Sequence, residues 1–111
     1  MWSAVEALVG QTLERGSGGT NAILAVDSGG VVRRTSKGRT QRIDMDVFRW
    51  TIERLLRGDT VLREEINAHS VARVSSGVTL ILGSTPMFEV ITEGNKLGLR
   101  MRADGVAGGP A

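Results

Sequence analysis

Residues 44–58, DMDVFRWTIERLLRG, form the stretch that decides the fold. Asp44 and Asp46 are good helix N-caps, and Gly58 is a residue at which helices commonly end. Between them, core-type residues recur every four positions as the pairs Val47-Phe48, Thr51-Ile52 and Leu55-Leu56. This period predicts an amphipathic helix whose apolar stripe faces a core.

The segments after this helix follow the order of a winged helix, namely a helix-turn-helix plus a β-hairpin wing. Val61 suits one bridge of strand, residues 63–69 suit two turns of helix, and Ser75 or Ser76 suits the cap of a third helix over 77–82. Residues 88–92 and 97–102 alternate around a turn at 93–96, as hairpin strands do. In a winged helix, the third helix enters the major groove. Residues 77–82, GVTLIL, are also rich in β-branched residues, so a buried strand remains an alternative there.

The segments before this helix suggest a short helix and a small sheet. Ser3 and Glu6 have capping-box spacing, which predicts a helix to about Gly10. Turns that contain glycine then separate residues 11–15, 22–26, 31–35 and 39–43, a pattern typical of an antiparallel meander of about four strands. The predicted fold is therefore α+β, an N-terminal helix and β-meander followed by a winged-helix unit.

The length of the chain limits its organisation. A chain of 111 residues with 41% apolar content has enough core for one domain, which we place at residues 1–102. The composition of residues 103–111, ADGVAGGPA, predicts a flexible tail or linker.

A cluster of positive charge is the main functional signal. Residues 32–42 carry five cations and no acid, on a ribbon that should close at Lys37-Gly38. These cations are Arg33, Arg34, Lys37, Arg39 and Arg42. Because the formal net charge is only +2, the basic character comes from this clustering, which predicts contact with phosphates. The alternative is an ordinary solvated hairpin face.

Two runs of sequence resemble a known kind of module. Residues 55–67, LLRGDTVLREEIN, and 73–78, RVSSGV, with Leu82 shortly before Pro86, resemble small winged-helix-like modules of bacterial restriction proteins. These modules include the N-terminal head regions of McrA-like HNH endonucleases. Residues 9–13, VGQTL, and the glycine-punctuated ribbon are similar to the region that precedes the winged helix there, so the resemblance covers most of residues 5–92. It implies contact with DNA, with recognition of modified DNA as one form of that contact, on behalf of a nuclease domain that this chain lacks.

Within the winged-helix interpretation, two further groups become candidate DNA contacts. One lies at the start of the recognition helix and comprises Arg73, Ser75, Ser76 and Thr79. Serine hydroxyls and free N–H groups at a helix N-terminus suit a phosphate, and an arginine suits a guanine edge. The other lies on the wing and comprises Lys96, Arg100 and Arg102. Ordinary helix capping and a solvated hairpin are the respective alternatives.

The residue inventory argues against an enzyme. His69 is the only histidine and there is no cysteine, so we expect no metal site, no cofactor and no Cys-His chemistry. Glu64 and Glu65 are adjacent, so on a helix they point in different directions and are unsuited to paired acid–base work. The N-terminus lacks signal-peptide character and no run is long enough to span a membrane, which leads us to expect a cytoplasmic protein.

We therefore predict a module that binds double-stranded DNA for a restriction or other DNA-processing system, together with a partner protein or nuclease domain. The alternative is a protein interaction or dimerisation module, a homodimer for example, that does not bind nucleic acid. Trp50 lies off the apolar stripe of its helix, where it either packs at the edge of the core, which we favour, or belongs to a contact surface.

Overall fold

The structure is a computed structural model that describes residues 2–14, 19–70 and 74–103. It has a mixed α+β fold. Its helices are α1 (Trp2–Glu6), α2 (Met45–Leu56), α3 (Arg63–His69) and α4 (Ser75–Gly83). Its strands are β1 (Thr12–Glu14), β2 (Thr20–Asp27), β3 (Gly30–Thr35), β4 (Thr40–Asp44), β5 (Val61–Leu62), β6 (Phe88–Glu93) and β7 (Lys96–Met101).

The N-terminal half forms the predicted antiparallel meander. Strands β1 to β4 are neighbours in chain order in one four-stranded sheet. The ribbon β3–β4 closes at the predicted position, where Gly38 has a φ of +82° that favours glycine. The predicted capping box was wrong, because Ser3 lies inside α1 rather than before it, and α1 already ends at Glu6.

The C-terminal half places α3 and α4 beside a second sheet, with strand order β5-β7-β6. Residues 77–82 are helical, which decides between the two alternatives left open by the sequence. Val74, not Ser75 or Ser76, occupies the N-cap position of α4. Six of the nine residues of α4 are buried, and a helix surrounded by protein needs no polar face, so its sequence shows no amphipathic period.

One hydrophobic core joins the two sheets and the helices between them. Phe48 and Leu55 of α2 are fully buried in it, whereas Leu56 is 51% exposed, so the apolar stripe is narrower than its sequence period suggests. The Trp2 ring meets Phe48 edge-on, with centroids 5.3 Å apart. Trp50 lies at the border of the core, partly buried. No helix in the described ranges has the length and apolar character to span a membrane.

Polar contacts of Arg54 fix the corner where α2 passes into β5 and α3. Arg54 donates from Nη1 to Glu65 Oε2 at 2.7 Å and from Nε to Asp59 Oδ2 at 3.3 Å. The other Glu65 oxygen accepts the N–H of Leu62 at 2.9 Å, at the start of α3. The Leu62 N–H and then Arg54 lower the pKa of Glu65, and Glu65 in turn raises the pKa of Arg54.

The two adjacent leucines of α2 provide a matched test of the core. Leu55→Ala should lower the free energy of unfolding by about 2–5 kcal/mol, because it opens a cavity among fully buried side chains. Leu56→Ala should change it by only about 0.5 kcal/mol, because that side chain is half exposed. Urea denaturation of both variants measures the difference, and equal losses would contradict this placement of the stripe.

The Glu65 contacts predict a pH dependence. Since the folded-state pKa of Glu65 lies below its unfolded value of about 4.3, its contribution is fully present above that pH and is lost as the pH falls through the folded pKa. Glu65→Gln should therefore be less stable than the parent at pH 7, with a gap that narrows in acid. Urea titrations between pH 7 and pH 2.5 measure it, with exposed Glu53→Gln as the control. A gap that does not narrow would contradict the assignment.

Candidate nucleic-acid interface

The alternation of side chains along β3 and β4 divides the basic ribbon between two faces. Arg33 pairs with Gln41, and both lie on the face that carries buried Ile43. Arg34 pairs with Thr40 and Arg42 with Val32, which places both of these arginines on the opposite face. The five cations therefore do not form a single surface.

Arg33 lies inside the protein. It is only 3% exposed, and it donates from Nη1 to Asn21 Oδ1 and from Nη2 to Gln41 Oε1, each at 2.6 Å. Asn21, on neighbouring strand β2, is itself 2% exposed. Because a guanidinium can only donate, both amides must turn their oxygens towards it, which leaves their NH₂ groups to donate elsewhere.

The first turn of α4 covers this guanidinium. A Cβ atom built on Gly77 would lie 2.5 Å from Arg33 Nη1 and 2.8 Å from Ile43 Cδ1. The helix can approach the sheet this closely only because residue 77 has no side chain. Arg33 therefore links the meander to α4.

A cavity of about 480 Å³ opens beside Arg33. We call it the ribbon pocket. Its described lining is Gly19, Thr20, Asn21, Arg33, Thr35, Ser36, Lys37, Arg39, Gln41 and Ser76. This lining contains three cationic side chains and no carboxylate. Strands β2, β3 and β4, the turn at the end of the ribbon and the start of α4 all contribute to it.

The cations of the ribbon differ in their ion pairing. No carboxylate of the described chain lies within ion-pair distance of Arg34, Lys37 or Arg39, and all three are exposed. Arg42 instead lies 3.4 Å from Asp27 and 3.8 Å from Asp44. Arg34, Lys37 and Arg39, which we call the ribbon tip, thus hold the unpaired charge of the ribbon.

The wing cations mostly have partners within the protein. Lys96 Nζ lies 2.6 Å from Glu64 Oε1, and that hydrogen bond raises the pKa of Lys96. Arg100 Nε lies 2.7 Å from Glu89 Oε2 on the neighbouring strand. Arg102 is partly buried; its backbone N–H donates to the carbonyl of Met87, a bond that does not involve its charge. The wing is therefore less positive than its sequence suggests.

The residues predicted at the start of the recognition helix do not form one exposed surface. Ser75 and Thr79 are 2% and 5% exposed, so a duplex cannot reach them in this conformation. The Ser75 hydroxyl accepts from Arg63 Nε at 3.3 Å, and its N–H donates to Asn67 Oδ1 at 3.3 Å. Among the described residues of this group, only Ser76 lines the ribbon pocket. Arg73 lies outside the described residues.

Sequence reasoning missed the polar residues of the pocket. Thr35 and Gln41 lie two and eight positions from Arg33, so the alternation of a hairpin closed at Lys37-Gly38 could have placed all three on one face. Asn21 gave no such signal. Its position beside Arg33 depends on the register of β2 against β3, which pairs Ile23 with Arg33 and Asn21 with Thr35.

Neither a metal-binding cluster among the described residues nor a similar protein indicates the chemistry of this site. Within the described ranges, no group of three or more His, Asp or Glu side chains is placed to hold a metal ion. Comparison of the chain with protein-family models, curated proteins and solved structures found no match. The resemblance to restriction-associated modules therefore stays a prediction, and we infer the function from the geometry of the site.

Gly77→Ala tests the contact between Arg33 and α4. Helix propensity alone would make alanine more stable by about 1 kcal/mol. We expect the opposite, a loss of about 1–3 kcal/mol, because the new methyl group would displace a buried guanidinium from its hydrogen bonds. Urea denaturation of the variant and the parent measures whether the free energy of unfolding rises or falls.

The control for this prediction is the same substitution in an Arg33→Ala background, where the contact with the guanidinium is gone and only the contact with Ile43 Cδ1 remains. There Gly77→Ala should lower the free energy of unfolding by clearly less than it does in the parent. An equal loss in both backgrounds would show that Arg33 does not set the requirement for glycine.

Proposed function

We propose that this protein is a DNA-binding module that contacts duplex phosphates through the ribbon tip. The observation that carries the proposal is the absence of carboxylate partners at Arg34, Lys37 and Arg39 among the described residues. Exposed cations that lack internal partners are free to replace the counterions of a phosphate backbone, and that exchange supplies most of the non-specific affinity for DNA.

The contrast with the remainder of the surface supports this location. Six described cations outside the ribbon tip lie beside carboxylates, and these are Arg42, Arg49, Arg54, Arg57, Lys96 and Arg100. A cation that already has a carboxylate partner gains less from a phosphate, because it must give up that partner or share its charge. Arg63 and Arg102 also have no carboxylate within ion-pair distance among the described residues, but both are only partly exposed. Within the described ranges the ribbon tip is therefore the most favourable surface for a polyanion.

A winged-helix arrangement forms part of the proposal. Its support is the order α2, β5, α3, α4 and hairpin β6–β7, with β5 paired to β7. The proposed mode of DNA binding differs from that of a usual winged helix, in which the third helix enters the major groove. No residue of α4 is fully exposed, and the meander covers its first turn at Gly77, so α4 has no free face for a major groove. We therefore assign the duplex contact to the ribbon.

We further propose that the module serves a restriction or other DNA-processing system, with the nuclease activity in a partner protein or another domain. The support for this part is the resemblance of residues 55–67 and 73–78 to restriction-associated modules. DNA binding by the ribbon tip does not depend on it.

The double variant Arg34→Ala/Arg39→Ala tests the duplex contact. Its affinity for duplex DNA should fall for every sequence about equally, and the slope of log K against log salt should flatten by about one to two units, since two phosphate contacts are lost. Titrations of a labelled duplex at several salt concentrations measure both quantities.

The matched control is Arg49→Ala/Arg57→Ala, which removes the same charge from the exposed surface of α2. It should leave the salt slope nearly unchanged. Equal effects of the two double variants would show that only net charge matters. Affinity that is insensitive to salt, or no DNA binding together with self-association, would favour the protein-interaction alternative.

A further inference from the structure

The ribbon pocket is concave, and its polar floor lies below the surface that a duplex can touch. Arg33 and Asn21 are 3% and 2% exposed, whereas Lys37 and Arg39 stand exposed at the rim. A duplex presents a convex backbone, which can meet the rim but cannot descend to the floor. A ligand that fills the pocket must therefore be a chemical group that projects from a DNA strand, or a small molecule that is free in solution.

The side chains of the pocket are predominantly donors. Arg33, Lys37 and Arg39 can only donate, and the amide NH₂ groups of Asn21 and Gln41 are the parts of those side chains that Arg33 leaves available. The hydroxyls of Thr20, Thr35, Ser36 and Ser76 can also donate. A site with three positive charges, many donors and no described carboxylate fits an oxyanion.

The size of the pocket narrows the ligand further. Its volume of about 480 Å³ lies within the range of roughly 300–1,000 Å³ typical of sites for whole small molecules. One phosphate would leave most of that volume empty. The NH₂ groups of Asn21 and Gln41, which Arg33 leaves available, can donate to the acceptor atoms of a base edge, so the pocket has chemistry for a base as well as for a phosphate.

We propose that the ribbon pocket binds a single phosphate-bearing nucleotide unit, such as a strand end or a nucleotide turned out of the duplex. The inference rests on the proposed function in that the same ribbon tip would hold the adjoining duplex. Lys37 and Arg39 meet the phosphate, and Arg33 fixes the two amides that line the floor. Turning a nucleotide out of a duplex costs a few kcal/mol, and least at an end or a mismatch, so the module prefers those places.

The first test is calorimetric titration of the full chain with deoxyguanosine 5′-monophosphate and, separately, with deoxyguanosine. The nucleotide should bind at least about tenfold more tightly than the nucleoside, which corresponds to about 1.4 kcal/mol. No binding of the nucleotide, or equal binding of both compounds, would overturn the proposal.

Gln41→Glu locates the binding. Glutamate keeps an oxygen acceptor for Arg33 and nearly the same shape, so the variant should fold, but it places a carboxylate on the pocket floor. Nucleotide affinity should fall at least about tenfold. Exposed Gln11→Glu makes the same change of charge outside the pocket and should retain the affinity. Equal losses in the two variants would overturn the proposal.

A second pair of variants tests the cavity without changing charge. Ser36→Trp should obstruct the pocket and abolish nucleotide binding, whereas Ser28→Trp places the same side chain in the exposed turn at the other end of β3 and should have no effect. Retained binding in Ser36→Trp would show that the nucleotide lies elsewhere.

Oligonucleotides distinguish the sources of the nucleotide. A short single strand with a 5′-phosphate, one with a 3′-phosphate and one with hydroxyl ends are compared with a duplex that contains one mismatch. Preference for a phosphorylated end identifies a strand terminus as the ligand, and preference for the mismatched duplex over a matched one identifies an out-turned nucleotide. Equal affinity for all of these DNAs would overturn the proposal.

Failure of the inference and failure of the proposed function give different results. If a duplex with hydroxyl ends binds through the ribbon tip but the nucleotide does not bind, the nucleotide pocket alone is refuted. If the nucleotide binds and the duplex does not, the DNA-binding module is refuted while the pocket stands.

Discussion

The structure depends on how one buried guanidinium is held. Arg33 points inward from β3, donates to the oxygens of Asn21 and Gln41, and lies under the glycine of the first turn of α4. Burying a charge costs several kcal/mol unless hydrogen bonds compensate for its lost hydration. In proteins generally, replacing buried ionic groups by well-packed apolar side chains of similar volume is often neutral or stabilising. The role of Arg33 is therefore better explained by how it aligns its neighbours. The amides of Asn21 and Gln41 and the backbone at Gly77 all have to fit around one planar guanidinium.

That alignment has consequences on both sides of the sheet. On the inner face it turns the amide NH₂ groups of Asn21 and Gln41 away from Arg33 and makes the floor of the ribbon pocket rich in donors. In the same register Arg34 faces the opposite side of the ribbon. One hairpin thus presents cations to two different environments, a concave pocket and an open surface. Period-two alternation makes this division unavoidable wherever adjacent residues such as Arg33 and Arg34 are both charged.

Sequence reasoning recovered the secondary structure better than the site. The α2 period, the turn glycines and the hairpin alternation are local signals, and they placed α2, α3 and the ribbon within a few residues of their observed bounds. Helix α4 was ambiguous for a physical reason. Protein surrounds it, so the choice between helix and strand lay in tertiary packing rather than in a polar and an apolar face. The cap of α1 was wrong because residue spacing alone does not show where a five-residue helix begins.

The site was harder to predict because charge in a sequence does not reveal its partners. Lys96 and Arg100 read as basic residues of a wing, yet Glu64 on α3 and Glu89 on β6 lie beside them through contacts that only the fold creates. Ser75 and Thr79 read as the exposed start of a helix, yet packing covers both. For the ribbon tip the fold has the reverse effect, because it brings no described carboxylate to Arg34, Lys37 or Arg39. What separates a functional cluster of cations from a structural one is therefore the distribution of the acids. Among the described residues, carboxylates lie beside cations of α2 and of the hairpin β6–β7 but not beside Arg34, Lys37 or Arg39. This is the pattern expected if a phosphate from outside the protein supplies the missing partner.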